Sequence, residues 1–278
     1  MSPPPILKYP RTRHVEGSRL QPGDQDLDAV PWRDVGGRHL VVEEKIDGAN
    51  AAIRFAPDGT LLLQSRGHYL AGGARERHFS ALKPWARAHA ERLREVLDDR
   101  YVMYGEWVYA KHTVYYDALP HYFLEFDVLD TATGAFLSTP RRRALLAPLP
   151  VVSVPVLHEG PLRGLAELLD LVGPSRFKTG AWREHLGEEA RSLELDVARV
   201  LDETDASNDM EGLYIKIEEG DRVVERLKWV RPDFLTSVVD SGTHWLSRPI
   251  VPNGLAGDAS LDSLFFAPAS DTPEDEPR

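Results

Sequence analysis

Short apolar runs and alternating apolar–polar stretches dominate the first 130 residues, a period that belongs to β-strands. They predict a strand from about His39 to Ile46, a second over Ala51–Phe55, a turn at Pro57-Asp58-Gly59-Thr60 and a third strand over Leu61–Ser65. From Phe79 to about Leu97 the spacing becomes helical, with Leu82, Trp85, Ala86, Leu93, Val96 and Leu97 on one stripe. Strand patterns return at Tyr101–Tyr109 and Tyr122–Leu129, followed by a short helix over Arg141–Leu146 behind Pro140 and a strand over Val151–Leu157. Leu162–Leu171 and roughly Trp182–Leu201 read as surface helices, the second heavily charged. Strands over Gly212–Ile217 and Arg222–Val230 flank a Glu218-Glu219-Gly220-Asp221 turn, and a helix from Pro232 to about Trp245 closes the pattern. The chain up to about Gly37 is rich in proline and glycine and reads as an irregular arm. No internal repeat is visible. Strands joined by turns, with helices in separate blocks, predict an α+β fold: a mostly antiparallel sheet with helices packed outside.

Length and composition narrow the setting. The 278 residues suit one large domain, or a domain with a small addition. With no cysteine, disulfides, thiolate zinc sites and cysteine nucleophiles are excluded. Met1-Ser2-Pro3-Pro4-Pro5 lacks an apolar signal core and no run approaches a membrane span, so a cytoplasmic protein with no membrane partner is expected. The net charge of -11 argues against broad nucleic-acid coating but leaves room for a local basic groove. Part of that excess lies in Asp271–Arg278, which reads as a disordered acidic tail.

The candidate chemistry starts at Val41-Val42-Glu43-Glu44-Lys45-Ile46-Asp47-Gly48-Ala49-Asn50. A lysine inside an apolar strand is costly to desolvate and needs a partner or a task. Alternation sets Lys45 and Asp47 on one side and Glu44 and Ile46 on the other, and Gly48 permits a sharp turn or a close backbone approach. Alone, Lys45-Ile46-Asp47-Gly48 reads more readily as a strand-end ion pair on a solvated face. Ser65-Arg66-Gly67, Tyr104-Gly105-Glu106-Trp107, Phe123–Asp130, Glu211–Lys216 and Glu225–Arg231 extend it; the last sets Arg226 and Lys228 on one face. Any one of these is explained by an ion pair or an exposed face. Together, a lysine, an arginine, buried acids, an aromatic ring and a late basic pair describe a nucleoside triphosphate site.

The ordered set EKIDGAN, SRG, YGEW, FLEFDVLD, EGLYIK and RLKWVR resembles the covalent nucleotidyltransferases, which include polynucleotide ligases and capping enzymes. It is most similar to the phage RNA ligase 2-like branch and its bacterial relatives, from roughly Lys8 to Phe234. The resemblance implies an adenylyltransferase domain over residues 1–235 with a helical insertion at about 160–205, then a C-terminal helix and tail over 236–278. It implies that Lys45 carries the adenylate, Glu44 reads adenine, Arg66 contacts ribose and the nucleic-acid phosphate, and Glu106 holds the ribose hydroxyls. Phe126 then stacks on adenine, Asp127 and Glu211 serve the metal, and Lys228 and Arg226 contact phosphate. Asp47, Gly48 and Lys216 complete the set. ATP and Mg2+ (or Mn2+) are the implied cofactors. RNA with 5′-phosphate and 3′-OH ends is the implied partner, with an end-healing kinase or phosphatase as a possible companion. Arg226 departs from the lysine of the phage branch, and the residues after the last motif are too few for an OB-fold or a helical RNA-binding domain.

At neutral pH the free amine form of an ordinary lysine costs about 4.6 kcal/mol. Neighbouring cations such as Lys228 and Arg226, a bound magnesium and burial are expected to lower that cost for Lys45. Arg141-Arg142-Arg143 reads either as a phosphate patch or as a solvated helix start. Lys111-His112 beside Tyr115 and Tyr116 reads either as a substrate groove or as packing; Arg54, Arg66 and Lys111 are expected phosphate contacts. A minimal DNA ligase, a GTP-using capping enzyme, and an adenylyltransferase that works only within a repair complex are the competing readings.

Overall fold

A computed structural model describes residues 4–18, 20, 27–234 and 248–257. Among the described residues eleven strands form one sheet: β1 Arg13–His14, β2 Leu40–Lys45, β3 Ala49–Phe55, β4 Leu61–Ser65, β5 Tyr101–Trp107, β6 Phe123–Asp130, β7 Ala135–Leu137, β8 Val152–Ser153, β9 Val156–Gly160, β10 Gly212–Glu219 and β11 Arg222–Val230. The order is β4-β3-β5-β6-β7-β11-β10-β2-β9, antiparallel at each step, with β1 and β8 added in parallel to β11 and β6. Among the described residues the complete α-helices are α1 Leu82–Ala88, α2 Ala90–Leu97, α3 Thr139–Leu146, α4 Leu165–Leu169, α5 Trp182–Ser192 and α6 Val197–Asp202. The α+β expectation is met.

The departures have local causes. The single helix expected over Phe79–Leu97 is two, broken where His89 leaves helical geometry, yet the predicted stripe still points inward: Leu82, Trp85, Ala86, Leu93 and Leu97 are all buried. The charged helix expected over Trp182–Leu201 is also two. Glu194 turns left-handed (φ 55) and the Asp196 carboxylate accepts from the Arg199 N–H to start α6. The Val151–Leu157 strand is interrupted before Pro155, whose preceding residue and missing N–H disrupt a ladder. Of the expected closing helix, only residues 232–234 are described; the rest lies outside the described residues, as does the acidic tail.

Two parts tie the fold together in ways that composition hides. The proline-rich arm runs across the sheet: the Leu7 carbonyl accepts from Tyr104 Oη and Gln64 Nε2, and the Pro4 carbonyl accepts from Tyr69 Oη. Tyr9 of the arm packs with Ala52, Val102, Tyr104, Phe136 and Val223. Residues 248–257 form a strap. Asn253 accepts from the Tyr116 N–H and donates to the Val108 carbonyl, and Val251 joins Trp182, Leu186 and Tyr115 in the small core beneath α5 and α6. Among the described residues no helix is long and apolar enough to cross a membrane.

Candidate active site

On β2, β10 and β11, directly paired residues share a face, so the ladder sorts the chemistry. Lys45 pairs with Gly212, Glu43 with Tyr214, and Tyr214 with Lys228. Leu40, Val42, Leu213, Ile215, Leu227 and Trp229 point the other way into a separate apolar core. Glycine at position 212 follows from close packing: a Cβ there would lie 2.0 Å from the Trp229 carbonyl oxygen. At Gly48 a Cβ would meet Val108 and the Trp107 carbonyl at 2.7 and 2.8 Å, so this glycine allows close approach to the chain beyond β5.

The polar face opens on a cavity of about 1090 Å³. That is just above the usual range for small-molecule sites, roughly 300–1,000 Å³. Lys45, Glu44, Gly48, Arg66, Glu106, Phe126 and Lys228 all line it, as the sequence predicts. The Lys45 ammonium donates to Glu211 Oε2 at 2.6 Å. Burial alone pushes the amine down, but the Glu211 charge and hydrogen bond, with Glu106 and Asp47 behind them, hold Lys45 above the ordinary lysine value. This corrects the expectation that neighbouring cations lower it. Arg226 is not beside Lys45; its guanidinium lies over the Phe136 ring at 3.9 Å and the Tyr9 ring at 5.5 Å. Glu106 is pushed up to about 8 by burial; Lys45 and Arg66 oppose the rise, and Glu211 and Asp47 reinforce it.

Asp47, Asp127 and Lys216 are not part of the cavity lining, and the Glu44 carboxylate is turned away from Lys45. Asp47 accepts from the Thr113 and Val114 N–H groups, both at 2.7 Å, and its own N–H donates to Tyr116 Oη. Asp127 is fully buried, accepting from Tyr9 Oη with Lys216 Nζ at 3.2 Å. Lys216 is also buried, within 3.0 Å of both Glu43 oxygens. Glu44 is buried on the opposite face from Lys45, where Ser175 Oγ and the Arg176 N–H bind its carboxylate; burial raises its pKa against those bonds. Among the described residues no group of three or more His, Asp or Glu side chains could hold a metal ion.

The arm supplies cavity residues that the sequence reading missed, namely Tyr9, Arg11 and Thr12, and Arg77 and His78 were missed too. Tyr9 lies edge-on to Phe126 at 5.1 Å and shares a hydrogen bond with Tyr214. No periodic signal marks this arm; its only cue is an aromatic residue in a proline-rich stretch. Lys111 is buried, donating to the His112 and Glu203 carbonyls at 3.1 Å, so the packing reading of that segment holds and Lys111 is not an exposed phosphate contact. Arg142 is neither surface patch nor solvated helix start but completely buried.

A polar sheet face that presents one lysine, acids, a ring and a second lysine to one cavity is the arrangement of a nucleotidyltransferase site. The RNA ligase family model matches residues 38–230, and the chain belongs to that family. A sequence search of curated proteins finds no match. Among solved structures, it is similar to Naegleria gruberi RNA ligase in a Glu-to-Ala mutant with ATP and Mn (20% identity, TM-score 0.52, 83% of this chain and 58% of that one). One Lys-to-Ala mutant with ATP and Mn gives 18%, 0.53, 85% and 60%, and the form with PPi gives 20%, 0.52, 84% and 58%. This chain therefore spans about three fifths of the length of those proteins, and the likeness is one of fold.

Proposed function

We propose that this protein is an ATP-dependent RNA ligase that joins 3′-OH and 5′-phosphate ends through a lysine–adenylate and an RNA–adenylate. Family membership sets the class. The observation that carries the reading is Lys45, hydrogen-bonded to Glu211 at the wall of a cavity that also presents the Phe126 ring, Glu106, Arg66 and Lys228. The Lys45 nitrogen must lose a proton before its lone pair can bond to the α-phosphorus of ATP as pyrophosphate leaves. Glu211 Oε2, at 2.6 Å, is within reach to accept that proton, and burial makes its carboxylate more basic than usual. Lys228 and Arg66 at the cavity wall offset charge on phosphate oxygens. Phe126 offers a stacking face to the base.

The Naegleria enzyme is found with ATP and Mn, which supports ATP and a divalent ion as cofactors here. Glu211, beside Lys45, would serve a magnesium ion that arrives on the nucleotide, since magnesium is commonly held by one or two carboxylates and substrate phosphates. Such an ion would neutralise charge on the phosphates. A cytoplasmic RNA-repair setting, with an end-healing kinase or phosphatase as companion, accords with this chemistry. Incubation with α-labelled ATP should label the wild-type chain and not Lys45→Ala, and ATP should far outperform GTP. Label on Lys45→Ala at the wild-type level refutes the assignment.

A further inference from the structure

In the pairing of β5 with β6, Tyr104 faces Asp127 and Gly105 faces Glu125, so Phe126 has no partner across the ladder. Phe126 is thus the extra residue of a β-bulge, a device that re-aims a side chain and leaves its own backbone groups to be satisfied elsewhere. Its carbonyl accepts from Arg142 Nη1 and from Lys216 Nζ. Arg142, on α3, is fully buried; its Nη2 donates to Glu43 Oε1 at 2.8 Å and its Nη1 reaches Glu125 Oε1 at 3.4 Å. Ser153 Oγ donates to the second Glu125 oxygen at 2.8 Å. The guanidinium therefore grips the bulged carbonyl, the residue before it, and Glu43, which lies two positions before Lys45 on the same face of β2.

β6 and β2 are far apart in the sheet order, with β7, β11 and β10 between them. We infer that Arg142 is a positioning residue for the nucleotide site: by binding the Phe126 carbonyl, Glu125 and Glu43 together, it fixes the Phe126 ring relative to the strand that carries Lys45. The planar fork of arginine suits three acceptors at once, which a lysine ammonium cannot hold in one plane. A buried cation among carboxylates is a poor source of net stability, so the arrangement is better explained by the geometry it enforces than by the energy it contributes.

This inference rests on the adenylyltransferase reading, and the test separates the two. Adduct formation from α-labelled ATP is measured for the full chain, Arg142→Lys, Phe126→Ala and the double variant. Arg142→Lys should raise the KM for ATP about tenfold with kcat changed less than about twofold. In the Phe126→Ala background the same substitution should change KM less than about twofold, because its effect passes through the ring. An equal factor in both backgrounds, or a lowered thermal midpoint with an unchanged KM, overturns the positioning role. If Arg142→Lys does not fold, the charge-neutral pair Arg142→Gln with Glu125→Gln carries the same comparison, with the same outcomes. No label on the wild-type chain overturns the functional reading and this role with it, whereas a labelled wild type with an unchanged KM in Arg142→Lys overturns the role alone.

Discussion

The pair of Lys45 and Glu211 should be readable as a pH shift. Replacing Glu211 by Gln keeps the side-chain shape while removing the negative charge 2.6 Å from the Lys45 nitrogen. Glu211 is only 2% exposed and Lys45 20%, so solvent screens the pair weakly. A hydrogen bond to a charged group contributes about 1.5–3 kcal/mol. At 1.36 kcal/mol per pH unit, that is about 1–2 units of lysine pKa. The sign follows from the site: Glu211 holds Lys45 above its ordinary value, so its loss lets the burial of the amine dominate and the pKa falls. The assay is single-turnover adduct formation from α-labelled ATP, followed between about pH 6 and 10. The midpoint of the rise should move to lower pH by about 1–2 units in Glu211→Gln. The plateau rate should also fall, since the variant lacks the nearest proton acceptor. A slower plateau with an unmoved midpoint would refute the claim that Glu211 holds the proton on Lys45.

Two further outcomes test the site and its support. Glu106, pushed up to about 8, favours its protonated form in the folded chain, so its contribution is full below about pH 4.5 and lost as pH rises through 8; Glu106→Gln should leave the thermal midpoint near pH 5 unchanged and raise stability above pH 8 by on the order of 1–2 kcal/mol after allowance for its partial exposure, and equal midpoints at both pH values would count against it. Asn253→Ala removes the acceptor of the Tyr116 N–H and a donor to the Val108 carbonyl, leaving two buried backbone groups unpaired; denaturant unfolding should show a loss of about 2–4 kcal/mol, and a change under about 0.5 kcal/mol would mean that the strap does not brace this face.

Local pattern determines much of this protein. Apolar alternation locates β2 through β6 and the β10–β11 hairpin, because strand periodicity depends only on which face of a residue meets the core. The family resemblance carried by the ordered motifs points to Lys45, Arg66, Glu106, Phe126 and Lys228, and all five reach one cavity because each lies in, or directly after, a strand of the same sheet. Alternation puts Lys45 and Asp47 on one side, but β2 ends at Lys45, so Asp47 turns to cap the Thr113 and Val114 N–H groups. Tertiary structure decided what depends on distant partners. Asp127 and Lys216 carry charges that the sequence cannot distinguish from site charges, yet Tyr9 and Glu43 draw them into the interior. Arg142 looks like its exposed neighbours Arg141 and Arg143, and only the bulge at Phe126 and the acids at 43 and 125 explain its burial. The arm carries no periodicity, so its role as a cavity wall rests on Tyr9 finding Phe126, Asp127 and Tyr214 more than a hundred residues away, and no local pattern encodes those contacts.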